Sequence, residues 1–194
     1  MEAIILVGGL GTRLRPLTHT IPKPLLPLAN IPMVERMIRN LPEVFDTAIL
    51  AVNYGLKDMK KYFEGKDVGK KVIIVPEDNP LGTGGAMRNC IDHVTGTTAV
   101  FNGDIVSSID LNKMLEQHTK TKAKGTLALW EVNDPSRFGV VEYKNGEAVI
   151  KDSSIIIALY YISLINNYSD DKIKIITMPF GKRENSRAIS LLLD

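Results

Sequence analysis

The sequence predicts an α/β fold: a mainly parallel sheet flanked by helices, with antiparallel strands in the last third. Three observations carry this. Short apolar runs alternate with helically spaced segments through the first half of the 194 residues, which is the pattern of a parallel sheet covered by helices. Two glycine-rich stretches, Gly8–Gly11 and Gly82–Gly85, each lie between an apolar run and the next element, at the sheet edge where open α/β folds bind ligands. After Gly125 the helical spacing gives way to short strand-like runs joined by turn signals.

In chain order, Ala3–Val7 reads as a buried strand. Pro32 suits a first helical position, and Met33, Val34, Arg36, Met37, Ile38, Asn40 and Leu41 continue a helical pattern. Thr47–Val52 is a second buried strand. Leu56–Phe63 is a short helix with Met59, Tyr62 and Phe63 at helical spacing. Val72–Val75 is a third strand, Thr83–His93 a helix reached through a glycine-rich turn, and Thr98–Phe101 a fourth strand ending in Asn102-Gly103-Asp104. Asp110 caps a helix running to about Thr119. Thr126–Val132, Gly139–Tyr143 and Glu147–Lys151 are strands, with a hairpin signal at Lys144-Asn145-Gly146. The whole is Rossmann-like. Residues 1–151 form its core, and 152–194 an atypical tail of the same domain.

Composition narrows the function classes. A net charge of +2 is too small to suggest a nucleic-acid-binding surface. The lone Cys90 excludes a disulfide framework and fits a reducing, cytoplasmic compartment. The first strand begins almost at once, leaving no room for a signal peptide. The longest apolar run, Ile155–Ile162, is too short to span a bilayer. His19, His93 and His118 lack metal-ligand spacing. Trp130 reads as core rather than as a platform for a ring-shaped ligand.

The chemistry concentrates after the first strand. Gly8, Gly9 and Gly11 let the backbone turn tightly and let a ligand approach, and successive N–H groups in such a turn form a nest for anions. Arg13, Arg15 and Lys23 bring positive charge to the same mouth. This is a phosphate-binding loop, but neither familiar kind. The dinucleotide fingerprint needs glycine where Leu14 stands, and the Gly-Lys-Ser/Thr triplet of a P-loop is missing here.

The stretch Leu6–Thr18 with Pro22-Lys23-Pro24 resembles the signature of the sugar-1-phosphate nucleotidylyltransferases: Gly-Gly-x-Gly-Thr-Arg-Leu-x-Pro-Leu-Thr, then Pro-Lys-Pro. The resemblance covers about residues 2–151 and implies the activity. A sugar 1-phosphate attacks the α-phosphorus of a nucleoside triphosphate and releases pyrophosphate. It assigns nucleotide binding to Leu6, Gly8, Gly9, Gly11 and Thr12, and to Glu77, Gly82 and Thr83. It makes Arg13 and Lys23 catalytic, Arg13 toward the leaving pyrophosphate and Lys23 on the phosphates near the reacting centre. Asp104 becomes the ligand of Mg²⁺, a hard ion that takes one or two carboxylates beside phosphate oxygens. Gly139 and Glu142 help define the sugar pocket. The partners implied are the two substrates, with no nucleic acid and no membrane, and a homo-oligomer is left open.

Glu77 stands where the resemblance puts the reader of the base. An ionised carboxylate only accepts hydrogen bonds. Guanine offers adjacent donors at N1 and N2, so GTP is favoured, with mannose 1-phosphate its commonest companion in the family. The alternatives are a glucose-1-phosphate thymidylyl- or uridylyltransferase, or a nucleotide-binding copy without turnover. The last draws on the tail, where Lys151-Asp152-Ser153-Ser154 stands in place of the family's Glu-Lys-Pro, and Ile157–Tyr161 lacks the expected Asn and Gly.

Overall fold

A computed structural model describes residues 1–105, 109–121, 125–130, 141–144, 147–150, 175–180 and 190–193. The strands are β1 (Glu2–Leu6), β2 (Pro27–Leu28), β3 (Ile31–Pro32), β4 (Thr47–Val52), β5 (Lys71–Pro76), β6 (Thr98–Asn102), β7 (Gly125–Trp130), β8 (Val141–Lys144), β9 (Glu147–Ile150), β10 (Ile175–Phe180) and β11 (Ser190–Leu193). The helices are α1 (Met33–Arg39), α2 (Leu56–Phe63), α3 (Gly82–Asn89) and α4 (Leu111–Thr121).

Seven strands form the main sheet in the order β10-β7-β11-β6-β1-β4-β5. β1 pairs in parallel with β4 on one side and β6 on the other, and β4 pairs in parallel with β5. The alternation of these strands sends side chains to two cores. Ala3, Ile5, Ala48, Leu50, Ala99 and Phe101 face the one covered by Val34 and Ile38 of α1, Met59 and Phe63 of α2, and Leu111 and Met114 of α4. Ile4, Ile49, Ala51, Val75 and Val100 face Ala86 and Met87 of α3. β4 is buried at every position, as a strand covered on both faces must be.

The placement of α3 follows from chain direction. β1, β4 and β5 step one way across the sheet, whereas β6 returns to the far side of β1. A right-handed connection that reverses direction must cross the opposite face.

The predicted helix Thr83–His93 is shorter in the structure. α3 starts at Gly82 and ends at Asn89, and Ile91–His93 forms a separate 3₁₀ turn. The helix stops where Cys90, fully buried, is drawn into the second core. Asp110 caps α4 as expected, its Oδ1 accepting the Lys113 N–H at 3.1 Å. Buried His118 fastens that helix to β7 through Thr126 Oγ1, 2.8 Å from its Nδ1.

α1 and α2 are joined by a buried carboxylate. Glu35, with its side chain 6% exposed, receives Arg39 Nε and Lys66 Nζ, each at 2.7 Å. It also accepts the Tyr62 hydroxyl, and Lys66 lies 3.9 Å above the Tyr62 ring. Burial pushes the Glu35 pKa up, but Lys66, Tyr62 and Arg39 outweigh it and hold the carboxyl at about 2.

In the last third, β8 and β9 form an antiparallel two-stranded ribbon in which Lys144 pairs with Glu147. β10 extends β7 in parallel, and β11 runs antiparallel between β7 and β6. No helix among the described residues is long and apolar enough to cross a membrane.

Candidate functional site

The point where the strand order reverses, between β1 and β6, is where a doubly wound sheet opens a crevice at its carboxyl edge. The chain leaving β1 becomes the glycine loop, and the chain leaving β6 becomes Gly103-Asp104. They are tied at the root, since Gly103 N–H donates to Leu6 O at 2.9 Å. No other residue fits at 103: a Cβ there would stand 2.4 Å from Val7 Cγ1 and 2.9 Å from Leu6 O.

The loop is held in shape by its own chain. Gly11 sits in the left-handed region at φ 63°, where a side chain is disfavoured. Its carbonyl accepts the Leu14 N–H at 2.9 Å and the Thr18 hydroxyl at 2.9 Å. Thr18 is buried, so it works as an internal brace. Thr12–Leu14, Leu17–His19 and Lys23–Leu25 are 3₁₀ turns that fold the segment back on itself, and the Arg15–Pro16 peptide is cis.

A cleft of about 380 Å³ opens over this edge, the size of a small-molecule site. Its lining includes Leu6, Gly8, Gly9, Gly11, Lys23 and Asp104 together with Glu77, Pro80, Gly82, Thr83 and Ala86. Lys23 Nζ and Asp104 Oδ2 form an ion pair at its edge, the side chains 25% and 42% exposed.

Glu77 is buried. Its Oε2 accepts the Leu81 N–H at 3.3 Å; Oε1 has no hydrogen-bond partner among the described residues. The first turn of α3 meets the cleft at Gly82 and Thr83, bringing the positive end of a helix dipole to it. Cys90 lies behind α3, its thiol pushed up to about 12 by burial and the nearby Glu77 charge.

Nine of the expected residues therefore share one cleft: Leu6, Gly8, Gly9, Gly11, Lys23, Glu77, Gly82, Thr83 and Asp104. Thr12 and Arg13 are exposed on the adjoining turn and are not part of its lining, and Arg15 is exposed beyond them. Glu142 is on β8, in the separate ribbon; Gly139, Lys151–Ser154 and Ile157–Tyr161 lie outside the described residues. Sequence reasoning did not single out Asn53, at the end of β4, although it lines the cleft. A polar residue closing a buried strand was the available signal, the same one that marked Asp104.

Among the described residues no group of three or more His, Cys, Asp or Glu could hold a metal ion. Asp104 alone is still a fitting donor for Mg²⁺, which is commonly held by one or two carboxylates with phosphate oxygens and waters.

A doubly wound α/β sheet with a glycine-walled cleft at its switch point defines the class. More narrowly, the chain belongs to the nucleotidyl transferase family, whose model matches residues 2–152. It is 38% identical over 153 residues to a mannose-1-phosphate guanylyltransferase of Mycobacterium tuberculosis, covering 77% of this chain and 43% of that protein. It is also 38% identical over 151 residues to a D-glycero-alpha-D-manno-heptose 1-phosphate guanylyltransferase of Campylobacter jejuni, covering 77% of this chain and 66% of the relative. The chain thus spans less than two thirds of these curated relatives. Among solved structures, HddC from Yersinia pseudotuberculosis complexed with GMP-PN aligns with a TM-score of 0.64 at 28% identity, over 74% of this chain and 64% of that one. A putative glucose-1-phosphate thymidylyltransferase from Bacillus anthracis shares the fold, with a TM-score of 0.75 at 23% identity, over 93% of this chain and 87% of that one.

Proposed function

We propose that the chain is a sugar-1-phosphate nucleotidylyltransferase core that uses GTP, with mannose 1-phosphate as the favoured acceptor. The observation that carries this is one cleft lined both by the glycine loop, Lys23 and Asp104, suited to phosphates, and by a buried carboxylate beside a helix N-terminus, suited to a base. Guanylyltransferase names among the relatives support the same base.

The nucleophile is a phosphate oxygen that is already anionic, so no general base is required. The chain's task is positioning and charge neutralisation. The loop N–H groups and Lys23 would hold the triphosphate in line, and Arg13, on the adjoining turn, would swing toward the departing pyrophosphate. Asp104 would hold Mg²⁺, which when bound supplies neutralising charge at the phosphate oxygens. Glu77 Oε1 is open to donors from the base, while Oε2 keeps one acceptor position beside its bond to Leu81. A guanine edge presents two adjacent donors to that carboxylate; uracil and thymine present carbonyls that it repels.

The reading keeps residues 1–151 as the core and 152–194 as a tail of the same domain, supported by a family match that ends at 152. It includes a cytoplasmic setting, supported by a single cysteine that is buried. The test is pyrophosphate release across GTP, ATP, UTP and dTTP crossed with mannose, glucose and heptose 1-phosphates. Fastest release with GTP and mannose 1-phosphate is expected. Faster turnover with UTP or dTTP overturns the base assignment. Tight GTP binding without release under any pairing favours the non-catalytic reading, which the altered Lys151–Ser154 stretch supports.

A further inference from the structure

We propose that Asn53 is a positioning residue that sets the base-reading carboxylate of Glu77, and so contributes to nucleotide choice without touching the base. The proposal rests on the reading of Glu77 given above. β4 and β5 pair in parallel up to Val52 and Pro76, and one further ladder bond continues them, Glu77 N–H to Val52 O at 2.8 Å. By the geometry of a parallel ladder, the next bond would run from the Tyr54 N–H to the Glu77 carbonyl. It is not made, because the chain turns at Tyr54-Gly55 into α2, with Gly55 at φ 76°. Asn53 Nδ2 donates to the Glu77 carbonyl instead, at 3.0 Å. The side-chain amide thus replaces a missing backbone donor.

The consequence is a Glu77 whose main chain is gripped on both sides by consecutive residues, Val52 and Asn53. Its carboxylate is then fixed at a third point by the Leu81 N–H. Asn53 also sits under the phosphate loop: a Cβ built on Gly8 would meet Asn53 Cβ at 3.2 Å, Asn53 N at 3.3 Å and Glu77 Oε1 at 3.8 Å. Asn53 thus lies against Gly8 of the glycine loop while its side-chain amide holds the Glu77 carbonyl. Losing the donor leaves a half-buried carbonyl without this partner, and the peptide of Glu77 is free to rotate away from it.

The test measures binding, so turnover is not needed. Affinities for GTP, UTP and inorganic tripolyphosphate are compared by titration calorimetry in the parent, Asn53→Ala, Asn53→Leu, Glu77→Gln and Asn53→Ala/Glu77→Gln. Asn53→Leu keeps the bulk and lacks the donor. Both Asn53 variants are expected to lower the GTP-to-UTP affinity ratio about tenfold while tripolyphosphate affinity stays at the parent value, the size of effect set by one misaligned polar contact. In the Glu77→Gln background, adding Asn53→Ala should leave the ratio unchanged. An Asn53→Leu variant with the parent ratio, or an equal loss for GTP, UTP and tripolyphosphate, overturns the positioning role while leaving the base reading intact. A Glu77→Gln variant with the parent ratio overturns the base reading and this proposal with it.

Discussion

Lys23 and Asp104, 81 positions apart in the chain, meet as an ion pair at the edge of the cleft. One comes from the segment after β1, the other from the end of β6, so the pair bridges the two sides of the topological switch point. Each partner neutralises the group that the other would otherwise offer to a ligand. On the proposed function, phosphate and Mg²⁺ together would satisfy both residues, whereas either alone would have to compete with the pair.

Asp104→Asn tests that competition. Pyrophosphate release in saturating Mg²⁺ is expected to fall by about 10²-fold, the scale of one preorganised contact to developing charge. GTP binding in EDTA should hold or tighten a few-fold, because Lys23 is released to the phosphates. A variant with the parent's magnesium dependence would reduce Asp104 to a loop residue.

Arg13 is exposed on the Thr12–Leu14 turn and has no part in the buried core. Arg13→Ala should therefore keep the parent's melting temperature, while kcat falls by on the order of 10²-fold. Unchanged kcat in the folded variant would assign the leaving-group role elsewhere.

Glu35 makes stability depend on acid. Its carboxyl is held at about 2, below its ordinary 4.5, so its contribution is complete above the ordinary value and is lost as pH falls through the folded one. Glu35→Gln should cost about 1.5–3 kcal/mol at pH 7, the range for hydrogen bonds to charged groups. In urea unfolding at pH 7, 4 and 3, the gap between parent and variant should narrow as pH drops. A gap that stays constant with pH would show that the carboxylate charge is not what joins α1 to α2.

β11 is an interior strand, with Leu192 opposite Ala99 on one side and Thr126 on the other. Proline there removes a ladder donor from the middle of the sheet. Leu192→Pro should destabilise by about 1–3 kcal/mol, the cost of a ladder carbonyl left without its donor, read as a lower urea midpoint. An unchanged midpoint would mean that β11 contributes little to the sheet.

Much of the fold was legible because it rests on local pattern. β4 and α2 occur with the predicted bounds, the first an unbroken apolar run and the second an amphipathic turn between glycines. The glycine loop was legible because so many small and cationic residues cluster there. β10 and β11 were missed, since their pairing with β7 and β6 is fixed by partners distant in sequence and no short-range turn announces it. Asn53 was missed for a related reason: its bond to Glu77 exists only once two strands lie side by side. The exposed position of Arg13 outside the cleft lining could not be read either, because it depends on how the 3₁₀ turns fold the loop back.

The strand order also says something about the order of events during synthesis. Translation delivers β1, β4, β5 and β6 early, with the glycine loop and Asp104 among them, but the neighbour that β6 takes on its other flank is made only at residues 190–193. Until it arrives, a nascent chain carries a nearly assembled cleft beside a raw row of backbone donors and acceptors. Such an edge can recruit a holdase or pair with the same edge on an adjacent nascent chain. The flank of β6, beside the cleft, is thus closed only once residues 190–193 have been made, long after the strands that carry the glycine loop and Asp104.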